Sequence, residues 1–298
     1  MTEPSGPVST GVPGVPETPH GEPEPGFASE MSRLFIIPAA IVLLCVGVFV
    51  LFGLIASEGR TAADYLQEIR QGVEGRRWQA AYELSRLLSR NPEDQRKAGV
   101  GIDIAAILAD PKTTDPLVKR YLVVALEAIA DPATAPALET LLADPDLEVR
   151  LYSARALGRL ASPTSVKPLV ALLENDEPAL RKIALYSLGR IGDASAVPAM
   201  RPRLEDTVEE VRWNAALSLA VLGDGAGAAT LKQMLDPAYL DKVAGITEEQ
   251  KLEARVNALQ AVLKLKDPAL RPLVEDVSRN DPSLHVRDIA LKVLDRWT

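Results

Sequence analysis

Cysteine is all but missing from this sequence: Cys45 stands alone, inside an apolar run. One cysteine cannot close a disulfide within a chain, and it offers no thiolate set for a metal. Histidine is almost as rare. His20 and His285 lie far apart in unlike surroundings. That excludes a histidine metal cluster and any Ser/His/Asp or Cys/His catalytic set. Aromatic residues make up only 4% of the chain, against 47% hydrophobic residues overall. The apolar content is mostly Ala, Leu and Val, a composition that favours closely packed helices over a sheet sandwich. Basic charge is not in excess either: 33 Lys and Arg stand against 41 Asp and Glu, for a formal net charge of -8. A duplex nucleic-acid binder carries a basic patch, and no part of this chain is dominated by Lys and Arg, so nucleic acid is not an expected partner. No G-x-G-x-x-G and no G-x-x-x-x-G-K-[ST] occurs, so no phosphate cradle is signalled. The Gly-rich stretch GDGAGAAT (223–230) reads as a turn, where glycine serves helix ends. The expectation is a chain without catalytic residues, cofactor or metal.

What is present falls into three regions. Residues 1–33 include PSGPVSTGVPGVPETPHGEPEPG, rich in Pro, Gly and Glu and poor in large apolar groups. Such a segment cannot bury enough surface to offset the entropy of ordering, and it reads as a disordered tail. Residues 34–56, LFIIPAAIVLLCVGVFVLFGLIA, carry no charge. As a helix this run would be about 35 Å long, enough to cross a hydrocarbon core of about 30 Å. A cleaved signal peptide would have a shorter apolar region nearer the N-terminus, after a basic segment. Here an acidic, Pro-rich segment comes first, so a single transmembrane helix is expected, with the lipid bilayer as one partner. Arg33 is the one basic residue before the run, whereas Arg60, Arg70, Arg76 and Arg77 follow it. The positive-inside rule then puts the C-terminal side in the cytoplasm. Gly47 and Gly53 are six apart, so the run holds no G-x-x-x-G dimerisation signal. Residues 57–298 carry nearly all the charges.

That third region repeats itself. VRLYSARALGRL (149–160) returns as LRKIALYSLGRI (180–191) and again as VRWNAALSLAVL (211–222). Anchored on its first basic residue, the phrase places Lys119, Arg150, Arg181 and Arg212 at intervals of 31, with Arg255 and Arg287 after wider steps. Arg77 begins a variant copy, RRWQAAYELSRLL. Seven positions after each anchor stands an aliphatic residue: Leu84, Leu126, Leu157, Leu188, Leu219, Val262 and Leu294. Three further on stands another, or Trp297 in the last copy. Spacings of three and four are the helical period, so each phrase is a helix with one apolar stripe. A second helical piece lies between phrases, as at 133–143, 164–174 and 195–205. Turn pairs such as Asp131-Pro132, Asp144-Pro145, Asp267-Pro268 and Asp281-Pro282 separate the pieces. A hairpin of about 31 residues cannot bury its own apolar face, but stacked copies can.

With an Asp at the turn, Val-Arg opening the second helix, and then Ala-Leu-Gly, DPDLEVRLYSARALGRL and its successors resemble HEAT repeats. The likeness is to the short bacterial kind found in phycobilisome-lyase subunits. It covers residues 61–298 and is strongest at 132–224, with an irregular unit at 88–118 and an insertion around 236–247. It implies an all-α protein: a right-handed α-solenoid of about seven helical hairpins over residues 57–298, preceded by the transmembrane helix and the tail. It also implies a bacterial protein; with the uncharged run and the positive-inside rule, the expected location is the cell (inner) membrane, with the solenoid cytoplasmic. Asp144, Asp206 and Asp281 each precede an anchoring Arg by six residues (Arg150, Arg212, Arg287), and Asn175 takes that place before Arg181. In proteins of this kind such residues link neighbouring repeats through hydrogen bonds and ion pairs. Some HEAT-like enzymes bind iron through His-Glu pairs; this sequence has none.

One pattern points to binding. Count the anchoring residue as one. Positions two and six lie a turn apart on one side of the helix, away from the main stripe. They hold Trp78 with Tyr82, Leu151 with Arg155, Lys182 with Tyr186, and Trp213 with Leu217. Aromatic and arginine groups on the inner surface of a curved array suit capture of a peptide or helix. Arg155, Lys182, Tyr186, Trp213 and Leu217 are therefore the candidate partner-binding residues. The competing expectation is that the two tryptophans pack against the neighbouring repeat. The function expected is that of a membrane-anchored scaffold or adaptor for a partner protein. The alternatives are an accessory subunit of a lyase-type or other enzyme complex, and a purely structural membrane component.

Overall fold

The computed structural model describes residues 35, 37–56, 60–73 and 75–297, and the tail expected at 1–33 lies outside them. The chain divides into two compact units, Met1–Gly59 and Arg60–Thr298. In the first unit, helix α1 spans Ile37–Ala56. Its described side chains, from Pro38 to Leu51, are all exposed. Among the described residues no helix is long and apolar enough to cross a membrane. The crossing expected at 34–56 thus finds no support in the described residues.

The second unit is all helical, with no strand among the described residues. It opens with α2 (Ala62–Gln71) and α3 (Arg77–Arg90), then α4 (Pro92–Lys97), α5 (Val100–Ala109) and α6 (Pro116–Ile129). Next come α7 (Ala135–Thr140), α8 (Leu147–Leu160), α9 (Val166–Ala171), α10 (Pro178–Ile191), α11 (Val197–Met200) and α12 (Glu209–Val221). The series closes with α13 (Ala228–Leu235), α14 (Pro237–Leu240), α15 (Glu248–Leu265), α16 (Arg271–Asn280) and α17 (Leu284–Asp295). Every phrase identified by its basic anchor is one of the long helices: α3, α6, α8, α10, α12, α15 and α17. Most of them begin at a side chain able to hold the free N–H groups of a first turn. Asp115, Asp146, Glu177, Thr247 and Ser283 all accept such a bond.

The pieces between the phrases are less regular than the periodicity suggested. Residues 133–143 form a 3-10 turn, the short helix α7 and a second 3-10 turn. The pieces at 164–174 and 195–205 are built alike. Prolines near the start of these pieces supply no N–H to an α-helical ladder, and the chain tightens on either side of the short helix. The irregular unit at 88–118 is split by Gly99, whose φ of 74° lies in the left-handed region.

The anchored helices form one continuous layer: α3 packs on α6, α6 on α8, α8 on α10, α10 on α12, α12 on α15 and α15 on α17. The stripe lies inside it. Leu84, Leu126, Leu157, Leu188, Leu219 and Val262 are buried, and Leu294 in the last helix is half-buried. Glycine sets the spacing at two seams. A Cβ on Gly158 would stand 2.8 Å from the Cα of Ser187 on the next anchored helix, and one on Gly189 would stand 2.9 Å from the Cβ of Ser218. Helix propensity alone would make Gly158→Ala stabilising by about 1 kcal/mol. The clash is with backbone, so the seam must open instead. We expect Gly158→Ala to destabilise the array by about 1–3 kcal/mol, read as a lower midpoint in chemical denaturation.

Candidate functional site

The turn acids and anchoring bases join neighbouring repeats, through pairs that run back to the preceding anchored helix. Each carboxylate meets the anchor 25 or 26 residues before it, on the preceding anchored helix. Lys119 Nζ lies 2.6 Å from Asp144 Oδ2. Arg181 donates to both oxygens of Asp206, at 2.9 and 2.8 Å. Arg255 donates to both oxygens of Asp281, at 2.9 and 3.1 Å. The anchor six residues after the turn bonds the turn backbone instead: Arg181 Nη1 reaches the carbonyls of Asn175 and Asp176, and Arg212 Nη1 that of Asp206. One oxygen of each turn residue also accepts an N–H two residues on, as Asp206 Oδ1 does from Val208 at 3.0 Å. Burial opposes ionisation of Asp206, yet the Arg181 guanidinium and the Val208 N–H outweigh it and hold the carboxyl below the usual range. Asn175 keeps the turn bond, from Glu177 N–H at 3.0 Å, but has no carboxylate for Arg150. Arg150 Nε is buried without a partner. Arg212 turns to Glu209, and Arg287 has no such pair among the described residues.

Four of the five candidate binding residues line one groove. Lys182 and Tyr186 come from α10, Trp213 and Leu217 from α12, and the third wall is α15 with Ile246 of the insertion. The groove has a volume of about 760 Å³. Tyr186 is 45% exposed and Val221, a turn beyond Leu217, is 54% exposed. Charges flank this apolar strip. Lys182 and Glu210 lie near the helix starts, and Arg190 and Lys264 near the helix ends. None of these four side chains has an ion-pair partner among the described residues.

Two of the candidates stand differently from the expectation. Trp213 is only 7% exposed, so it forms the floor of the groove and cannot be a protruding anchor. Its Nε1 donates to Glu209 Oε1 at 3.1 Å. The same carboxylate accepts from Arg212 and from the hydroxyl of Tyr239 in α14. Burial, together with that carboxylate, pushes the Tyr239 phenol up. The insertion is thus tied to the same carboxylate that holds the indole. Arg155 lies outside the groove and is engaged. It holds Glu127 of the preceding anchored helix through bonds of 3.0, 3.1 and 2.7 Å, and it sits 5.0 Å over the Tyr152 ring. Its Nε and Nη2 are engaged within the array. Trp78 and Tyr82 pack with Tyr121, at ring separations of 6.4 and 5.2 Å. Sequence reasoning missed Ile246 and the α15 wall, because the insertion displaced that repeat from the 31-residue register, and Val221, because it stands at neither position two nor position six.

This arrangement defines a helical-repeat scaffold, and the comparisons identify the repeats. A sequence profile described as HEAT repeats matches residues 104–185 and 166–248, so this part of the chain is similar to HEAT repeats. No curated protein matches the sequence. Among solved structures, the complex of CpcE and CpcF of phycocyanin lyase from Nostoc sp. PCC7120 is similar at 22% identity. The match covers 80% of this chain and 89% of that one, with a TM-score of 0.54. YIBA of E. coli is similar at 17% identity over 79% of this chain and 81% of that one, with a TM-score of 0.50. A designed armadillo repeat protein in complex with the peptide (KR)4 matches at 17% identity, 80% and 100% coverage, and a TM-score of 0.45. At these identities the likeness is one of fold. Among the described residues no group of His, Cys, Asp and Glu is placed to hold a metal ion.

Proposed function

We propose that this protein is a membrane-anchored HEAT-repeat scaffold that binds a partner protein in the groove between α10, α12 and α15. In this reading residues 34–56 span the cell membrane and a right-handed solenoid works in the cytoplasm. The observation that carries the binding role is the groove. Exposed Tyr186 and Val221 lie over a Trp213 floor, between charges that have no ion-pair partner among the described residues. An apolar centre rimmed by charge is the arrangement of a protein interface. The role is binding rather than catalysis, in keeping with the repeat fold shared with the similar structures. The Nostoc structure is itself a complex of two proteins, which agrees in kind. Support for the anchor is the 23-residue uncharged run.

The binding role is tested with Tyr186→Ala combined with Val221→Ser. Both side chains are exposed, so the fold should change by no more than about 0.5 kcal/mol. Partner recovered by crosslinking from intact membranes should fall by about tenfold or more. Undiminished recovery with an unchanged melting curve would remove the groove from consideration. Alkaline carbonate extraction checks the anchor separately: the chain should stay with the membrane pellet, and its release would mean that residues 34–56 do not span.

A further inference from the structure

Position five of the anchored helices is Ala81, Val123, Ala154, Leu185, Ala216, Leu259 and Leu291 in turn. The first six are fully buried, whereas Leu291 is 52% exposed. The seam between α8 and α10 shows which way this position faces. Ser187 of α10 donates to the carbonyl of Ala154, position five of α8, at 2.8 Å. One turn further along α8, a Cβ on Gly158 would meet the same Ser187. Position five therefore faces the next anchored helix. On α17 the side that holds Leu291 is the side on which another anchored helix lies everywhere else in the array. Leu284, two turns earlier on that side, is exposed as well. This face continues an interface that the chain already builds six times, and it fits a helix of the same kind.

The charges beside Leu291 select which helix. Asp288 and Lys292 are exposed, four residues apart, and paired with each other at 2.6 Å. If two copies of α17 lie antiparallel about a two-fold axis beside residue 290, Asp288 of each faces Lys292 of the other. The Leu291 side chains then meet close to the axis, and Leu284 of each covers the aliphatic stem of Arg296 of the other. A parallel pairing would set like charges against each other. We propose that the exposed side of α17 is a homodimer surface, with a second copy of this chain as its occupant. Such an isologous contact closes on itself and leaves the groove on α10, α12 and α15 open in both copies. It does not depend on the groove reading.

The test is the number of chains per particle for the full chain in detergent, measured by light scattering over a range of concentrations. The wild type should reach two chains per particle and stop there. Leu291→Asp should give one chain per particle at the same concentrations, with an unchanged melting curve. Asp288→Lys should weaken dimerisation by about tenfold or more, and adding Lys292→Asp should restore it. If Leu291→Asp lowers the melting temperature, the charge-reversal pair decides: rescue supports the surface, and no rescue overturns it. A wild type that stays single, a Leu291→Asp variant that still pairs, or a particle that keeps growing with concentration would each overturn the proposal.

Discussion

Leu157→Ala lowers the unfolding free energy of the repeat array by about 2–5 kcal/mol. Leu157 is fully buried at position eight of α8, within the layer where α6, α8 and α10 stack. Truncation removes the transfer free energy of three carbons and leaves a cavity. The surrounding helices cannot collapse into it, because Gly158 already brings α8 as close to α10 as the backbone allows. Leu188 and Leu219 occupy the same place in their own repeats and should behave alike. Repeat arrays couple each unit to its neighbours, so the loss should appear along the whole array. Chemical denaturation followed by circular dichroism measures it. A change under about 0.5 kcal/mol, typical of surface sites, would mean the stripe does not face the core.

The second large effect is expected at the Arg181–Asp206 pair. Both side chains are nearly buried, with 10% and 4% of their surface exposed. Asp206→Asn keeps an oxygen for the Val208 N–H but removes the charge and one of the two acceptors that hold Arg181, reproducing what Asn175 does naturally opposite Arg150. Breaking one side of a buried pair leaves an uncompensated charge, and the expected loss is about 3–5 kcal/mol near neutral pH. The pH dependence has a defined sign. The folded Asp206 carboxyl titrates below its ordinary value. Its stabilisation is therefore complete above the unfolded value of about 3.9 and is lost as pH falls through the lower folded value. Wild type and Asp206→Asn should converge in acid, so a difference that stays constant down to the acid transition would assign the loss to something other than the charge. Asn175→Asp should act in the opposite direction, by giving Arg150 the carboxylate that Arg181 already has.

The layer of anchored helices was legible because its signal is doubly redundant: a basic residue every 31 positions and an aliphatic stripe in phase with it. The ladder was legible in membership and not in pairing. An Asp six residues before one arginine is also 25 residues after the previous one. Sequence spacing cannot choose between these, whereas stacking does. The short helices were harder, since prolines such as Pro136, Pro168 and Pro198 break α-helical bonding without moving the apolar positions. At the groove, Lys182, Tyr186 and Leu217 could be read as one side of their helices. The burial of Trp213 could not, because it depends on Glu209 and Tyr239, and Tyr239 belongs to an insertion that follows no repeat. Arg155 misled for a related reason: its position resembles that of Tyr186, but Glu127 on the neighbouring helix captures it.

The central claim is that the groove holds a partner protein at the membrane. It is tested most directly by a photo-activated crosslinking side chain placed at position 186 in intact membranes, with Lys232 on α13 as the control position. Lys232 is exposed and does not line the groove. The account predicts a discrete protein adduct from position 186 and none from position 232. No adduct from 186, or the same adducts from both positions, would contradict it.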